Sequence, residues 1–192
     1  MLVTDLSDWN DHINWSHLIA AGVGGAIVKI SEGRTLSELH GKHIAGAIAR
    51  GLPWGVYCYT HAQTTDRARE EASRVIEALQ ALGCGVPPLG IWFDVEAPET
   101  IGQGVEDVTA ICSAFISTCN AAGYSAGIYA SLSTVTDCIN LDLLADYVPL
   151  WIAQYATQCD FKDYYPNRIL AGWQFNDSFE IDGQKYDMSE WY

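Results

Sequence analysis

Strands and helices alternate through the first two-thirds of this chain, and that alternation predicts an α/β fold on a mostly parallel sheet with right-handed crossovers. Three observations carry the expectation. The candidate strands are short apolar runs, as strands covered on both faces must be. Glycines 22, 51, 83 and 123 each stop a candidate helix. Late in the chain strands continue while helices shrink, which favours a barrel of the (β/α) type, with a shortened, partly antiparallel C-terminal part, over an open doubly wound sheet.

Residues 1–5 read as a first strand ending in Asp5, followed by a polar loop. Asn14 or Ser16 caps a helix over 15–21. Residues 25–31 form the second strand, which Glu32-Gly33 ends. A helix over 38–50 places Ile44, Ala47 and Ile48 on one face. The third strand is 54–59. The clearest helix spans 65–82, with Ala68, Ala72, Val75, Ile76, Leu79 and Leu82 as its stripe and Thr64 or Thr65 as its cap. Residues 85–88 turn the chain into a strand over 89–96. The next helix, 108–122, turns Ile111, Cys112, Phe115 and Cys119 inward. A fifth strand over 125–130, a short helix over 141–145 and strands over 148–155, 171–175 and 185–188 complete the set. The whole of 1–192 reads as a single catalytic domain, expected to be monomeric.

The strand Leu89-Gly-Ile-Trp-Phe-Asp-Val-Glu96 is the most informative stretch. Side chains alternate along a strand, so Trp92, Asp94 and Glu96 share one side and Ile91, Phe93 and Val95 the other. Two residues of rise separate the Asp94 and Glu96 Cβ atoms by roughly 6–7 Å, which lets the pair act on one small group.

Bulk properties exclude several functions. A net charge of −14 leaves no basic run for phosphate contacts, so no nucleic-acid partner is expected, nor attraction to anionic membranes. No apolar run reaches transmembrane length, so no membrane insertion is expected. The N-terminus has no basic region and no apolar core of a signal peptide; synthesis in the cytoplasm and later release to the site of action are expected. The six cysteines show no C-x-x-C and read as buried or partly buried thiols. His40 and His43 share a helix face that reads as solvated, and no metal is expected.

In a (β/α) barrel the C-terminal strand ends build the active site. Those ends carry Asp5, Glu32, Tyr59, Asp94 with Glu96, Tyr129, Trp151 to Tyr155, Trp173 with Gln174, and Asp187. Aromatic faces stack on sugar rings and carboxylates bond hydroxyls, so this inventory suits a carbohydrate and requires no cofactor.

The motifs Asp5-Leu-Ser, Ile27-Val-Lys-Ile-Ser-Glu-Gly33, Gly55-Val-Tyr-Cys-Tyr59, Trp92-Phe-Asp-Val-Glu96, Gly127-Ile-Tyr129, Leu150-Trp-Ile-Ala-Gln-Tyr155, Trp173-Gln-Phe175 and Tyr186-Asp-Met-Ser189 occur in one order across nearly the whole chain. In that order and spacing they resemble the glycoside hydrolase family 25 lysozymes, the muramidases of phage endolysins and bacterial autolysins. The sequence departs from the family pattern at Cys58-Tyr59, where His-Phe is frequent, and at Met188-Ser189, where Leu-Asn is frequent. The resemblance implies a distorted, TIM-like (β/α) barrel. It also implies cleavage of the β-1,4 bond between N-acetylmuramic acid and N-acetylglucosamine in peptidoglycan glycan strands of the bacterial cell wall.

On this reading Glu96 is the general acid, with Asp94, Asp5 and Asp187 as further catalytic candidates and Glu32, Tyr59, Tyr129, Trp151 and Gln174 as substrate-binding ones. Either Asp94 holds the substrate's N-acetyl group for substrate-assisted cleavage, or Asp5 or Asp94 stabilises the oxocarbenium-like centre directly or activates water. A different barrel glycosidase, such as one acting on chitin, and a non-catalytic glycan-binding module are the alternatives. Comparing chitin oligomers with peptidoglycan as substrates separates the first, and a decayed site that had lost an acid would have marked the second.

Overall fold

The barrel closes because β1 finds a partner on each side. The computed structural model describes residues 1–192. Its strands are β1 (Leu2–Leu6), β2 (Val23–Glu32), β3 (Thr35–Leu36), β4 (Trp54–Tyr59), β5 (Ile91–Asp94), β6 (Ala126–Ser131), β7 (Leu150–Ala153), β8 (Leu170–Ile181) and β9 (Gln184–Trp191). From β1 through β2, β4, β5, β6 and β7 to β8 every neighbouring pair is parallel. β9 then runs antiparallel to both β8 and β1 and seals an eight-stranded ring, with β3 a short flap folded back on β2. The reversal is local in origin. Asp182 and Gly183 join β8 to β9 with φ of 54° and 74°. Two consecutive positive φ values make the two-residue turn that fits a hairpin, and such a turn joins only antiparallel strands.

Helices α1 (Trp15–Ala20), α2 (His40–Ile48), α3 (Thr65–Leu82), α4 (Pro98–Ile101), α5 (Val105–Ala121), α6 (Leu132–Cys138) and α7 (Phe161–Tyr164) occupy the connections, with a 3₁₀ turn at Leu141–Leu143. Thr64 caps α3 by accepting from Arg67 N, and Gly83 ends it in the left-handed conformation at φ 61°. Phe93 of β5 stacks on Phe115 of α5 with centroids 4.2 Å apart, which seats the helix layer on the outside of the sheet. No helix is long and apolar enough to cross a membrane.

Inside the ring, Trp92, Trp151 and Trp191 meet edge to face and fill the N-terminal half of the barrel. Glycines make room for them. A Cβ on Gly127 would lie 2.6 Å from the Trp92 ring, and one on Gly172 would strike Trp191. The tryptophan plug separates the C-terminal mouth from a pocket of about 170 Å³ at the other end, lined by Trp92 and Trp191.

Several expectations need correction. The strand expected over 89–96 is regular only over Ile91–Asp94. On α2, Ile48 is exposed and His43 is buried in its place, so His43 does not belong to a solvated face. Its Nε2 lies 2.9 Å from the Asn10 carbonyl oxygen, and that contact turns the His43 side of the helix under the β1–α1 loop. Leu82 is also exposed, because α3 ends there and its last turn overhangs the sheet. The alternation did not anticipate β3, α4, α6 or α7. All six cysteines are free thiols, three buried and three partly so.

Candidate active site

The inward residues at the C-terminal ends of the strands line a pocket of about 190 Å³. Strand register sets their order. Tyr59 pairs with Asp94, Asp94 with Tyr129, and Tyr129 with Trp151 across four parallel strands. On the other side of the ring Asp5 of β1 stands opposite Asp187 of β9. Glu96 lies two residues beyond Asp94. Val95 N donates to the Tyr129 carbonyl oxygen at 2.9 Å, which keeps the chain extended past the end of β5. Alternation therefore leaves Asp94 and Glu96 on the same side, and both line the pocket.

Gln174 of β8 ties this ring of side chains together. Its Oε1 accepts from the Tyr129 hydroxyl at 2.9 Å and the Tyr155 hydroxyl at 3.0 Å, and its Nε2 donates to Asp5 Oδ2 at 3.0 Å. An amide suits the post because it accepts at one end and donates at the other. Asp94 is different. It is 4 % exposed, and its Oδ1 has no hydrogen-bond partner in the protein. A buried unpaired carboxylate oxygen facing a pocket is poised for a donor on a ligand.

Four carboxyls in one small space are all held above their ordinary pKa, chiefly by burial, and Asp5 alone pulls a neighbour, Asp187, back down through a hydrogen bond. Burial pushes Asp94 well above the usual carboxylate range, and the charges of Glu96 and Asp5 push the same way. Burial and then Asp187 do the same to Asp5, opposed by the Gln174 amide. Burial raises Asp187 to about 6. Glu96 stands at the rim and is exposed by area, yet the pocket walls crowd its carboxyl. That desolvation, with Asp187 behind it, raises its pKa, while Tyr129 opposes the shift.

The structure thus gathers Asp5, Tyr59, Asp94, Glu96, Tyr129, Trp151, Gln174 and Asp187 at one pocket. It does not bring Glu32 there. Glu32 faces a neighbouring cleft, with its carboxylate on Lys29 Nζ at 2.7 Å and His61 Nε2 at 3.1 Å. Trp151 is floor rather than open face: it is 1 % exposed and its Nε1 donates to Ser189 Oγ at 3.0 Å. Tyr57 lines the pocket and reading strand ends alone passes over it. The signal was present, since Tyr57 lies two residues before Tyr59 and so shares its side. No group of three or more His, Cys, Asp or Glu side chains is arranged to hold a metal ion.

A closed barrel whose mouth gathers acids among tyrosines has the side-chain inventory of the barrel glycoside hydrolases. Residues 4–184 match Glycosyl hydrolases family 25, and the chain belongs to that family, the muramidase family. Among solved structures, the modular autolysin LytC from Streptococcus pneumoniae superposes with a TM-score of 0.86 at 25% identity, over 100% of this chain and 46% of that one. The chain therefore spans about half the length of that autolysin, which has also been solved with a synthetic peptidoglycan ligand. The CTP1L endolysin gives a TM-score of 0.84 at 25% identity, covering 100% of this chain and 66% of that one. A muramidase from Trichobolus zukalii shares the fold, with a TM-score of 0.81 at 19% identity over 100% of this chain and 93% of that one. No curated protein sequence matches the chain.

Proposed function

We propose that this chain hydrolyses the glycan strands of peptidoglycan in the bacterial cell wall, cutting the β-1,4 bond between N-acetylmuramic acid and N-acetylglucosamine, with Glu96 as general acid. One observation carries the reading. Asp5, Asp94, Glu96 and Asp187 converge on a single pocket walled by tyrosines at the open end of the barrel. The complex of LytC with a synthetic peptidoglycan ligand supports the choice of polymer.

Glu96 has the position of a proton donor, at the rim where a leaving oxygen arrives, and its raised pKa keeps it protonated further toward neutral pH. It gives its proton to the glycosidic oxygen as the bond to the anomeric carbon breaks. The unpartnered Oδ1 of Asp94 favours substrate assistance. It accepts the N–H of the substrate's acetamido group and turns the carbonyl oxygen toward the anomeric carbon, where that oxygen forms the new bond. Water then attacks the same carbon, breaking its bond to the acetamido oxygen so that the acetamide is restored, and gives a proton back to Glu96. Asp187, ionised above about pH 6, adds negative potential while positive charge develops on the sugar, and Gln174 holds Asp5 beside it.

The test is digestion of purified peptidoglycan by the wild type and by Glu96→Gln, with reducing-end analysis and mass spectrometry of the soluble products. Muramic acid at the new reducing ends, absent with the variant, is the expected result. N-acetylglucosamine at those ends would keep a glycosidase and move the bond. No soluble product would overturn the proposal.

A further inference from the structure

Beside the acid pocket lies a second cleft of about 580 Å³, between the β2–β3 hairpin and the loop that leads from β4 into α3. Tyr59 is the partition between them. It lines the acid pocket, while on its other side Lys29 Nζ lies 5.4 Å from its ring centroid and the His61 ring lies 5.3 Å away. Lys29 and His61 both line the second cleft.

The two spaces differ in chemistry. Half of the acid pocket's lining is hydrophobic or aromatic, as a sugar ring requires. The second cleft has Leu36 as its single hydrophobic residue and no Phe, Tyr or Trp. It does hold Lys29, Arg34 and Arg67, three of the ten Lys and Arg in a chain of net charge −14. Of the three acids that line the cleft with them, the exposed Glu38 has no ion-pair partner and the other two are engaged. Asp8 accepts from Ser37 and from the backbone of Leu39, and Glu32 is held by Lys29 and His61. The guanidiniums are not used up. Arg34, 58% exposed, commits Nη1 to Glu70, while Arg67 commits Nε to Glu71 and has Nη1 3.7 Å from Glu70, out of five N–H donors each.

Resting on the muramidase reading above, we propose that this cleft binds the peptide branch that muramic acid carries on its lactyl group, with Arg34 and Arg67 bonding its carboxylates. The branch leaves the sugar beside the scissile bond. It is polar and extended, and it carries free carboxylates that a planar guanidinium grips in pairs. A cleft one strand removed from Asp94 is placed to take it, because Glu32 registers with Tyr59 and Tyr59 with Asp94. The cleft then makes Arg34 a specificity-determining residue for peptide-bearing strands.

Uncross-linked glycan strands with their peptides are compared with the same strands after an amidase has removed the peptides, both assayed by reducing ends. The wild type is expected to show a KM about tenfold lower on peptide-bearing strands, the effect of one charge-assisted hydrogen bond, and salt should narrow the gap. Arg34→Ala and Arg34→Glu should bring the two KM values together. Arg74→Glu, on α3 and paired with Glu77 outside the cleft, should leave the gap intact. Equal KM values in the wild type, or a preference that survives both Arg34 variants, overturns this proposal and spares the muramidase reading. Failure to cut either kind of strand overturns both.

Discussion

Asp5 and Asp187 stand directly opposite each other across the antiparallel β1–β9 pair, and their carboxyls share the acid pocket. Like charges in that position destabilise a sheet. Burial holds both pKa values up, Asp187 at about 6, so between the ordinary carboxyl range and about 6 the folded protein binds more protons than the unfolded chain. Stability therefore falls as pH rises through that window, since ionising the pair costs free energy only in the fold. Asp187→Asn removes the conflict. We expect it to stabilise the protein at pH 7 by on the order of 1 kcal/mol, kept small because Asp187 is partly solvated, and to gain nothing at pH 3. Urea unfolding at the two pH values measures the difference.

One member of that pair also tunes the acid. Asp187 is among the groups that raise the Glu96 pKa, and Tyr129 lowers it. A general acid works while protonated, so activity falls as pH rises through its pKa. Asp187→Asn should move the alkaline limb of the kcat/KM profile to lower pH, and Tyr129→Phe should move it to higher pH. Glu96→Gln should lower kcat by at least ~100-fold at every pH. A profile unmoved by either neighbour would transfer the acid role to another carboxyl.

Gln174 satisfies three groups at once, so its loss is felt three times. Gln174→Met keeps length and removes every hydrogen bond. It leaves the Tyr129 and Tyr155 hydroxyls without their acceptor and Asp5 without its donor. Tyr129 and Asp5 are buried, and an unmet buried group costs about 1–3 kcal/mol. Gln174→Glu keeps the acceptor and adds a fifth acid beside Asp5. Its stability loss should be larger above pH 7 than below pH 5, by the linkage argument that applies to Asp187. Thermal melts of both variants across that range distinguish the two effects.

The barrel was legible because its rules are local. Alternating apolar runs, capped helices and glycine stops appear in the sequence where β1, β2, β4 to β7 and the long helices α3 and α5 occur. The elements that escaped have a physical reason to escape. Helix α6, Leu-Ser-Thr-Val-Thr-Asp-Cys, is rich in β-branched residues and is held by the Ser131 hydroxyl, which accepts from Thr134 N at 3.0 Å. The outer half of β8 is polar and solvent-facing, so no alternation marks it, although Asp182-Gly183 announces the hairpin. Convergence of Asp5, Asp94 and Glu96 on one pocket followed from strand ends, whereas Asp187 arrives from the first half of the antiparallel β9. Glu32 also ends a strand, but a lysine three residues back and a histidine on the next loop turn it aside, and no strand-end rule sees such a capture.

The tryptophan plug makes the last prediction, because a glycine is its boundary. Gly172 registers with Trp151 on one side and Trp191 on the other. A methyl group there would run into the Trp191 ring and sit 3.1 Å from Trp151 Cδ1. Replacing glycine by alanine in a strand commonly stabilises by about 0.4–1 kcal/mol through the unfolded chain. Overpacking a filled interior costs about 1–3 kcal/mol, and here three indoles resist the shift together. The second effect is the larger, so Gly172→Ala should be net destabilising by roughly 1–2 kcal/mol. Trp191→Leu should itself be destabilising, since it empties part of the plug. In that background the added methyl has room, and Gly172→Ala should become neutral or favourable. A double-mutant cycle by urea unfolding reads this as a coupling between the two sites, and strict additivity would show that Trp191 is not what makes residue 172 a glycine.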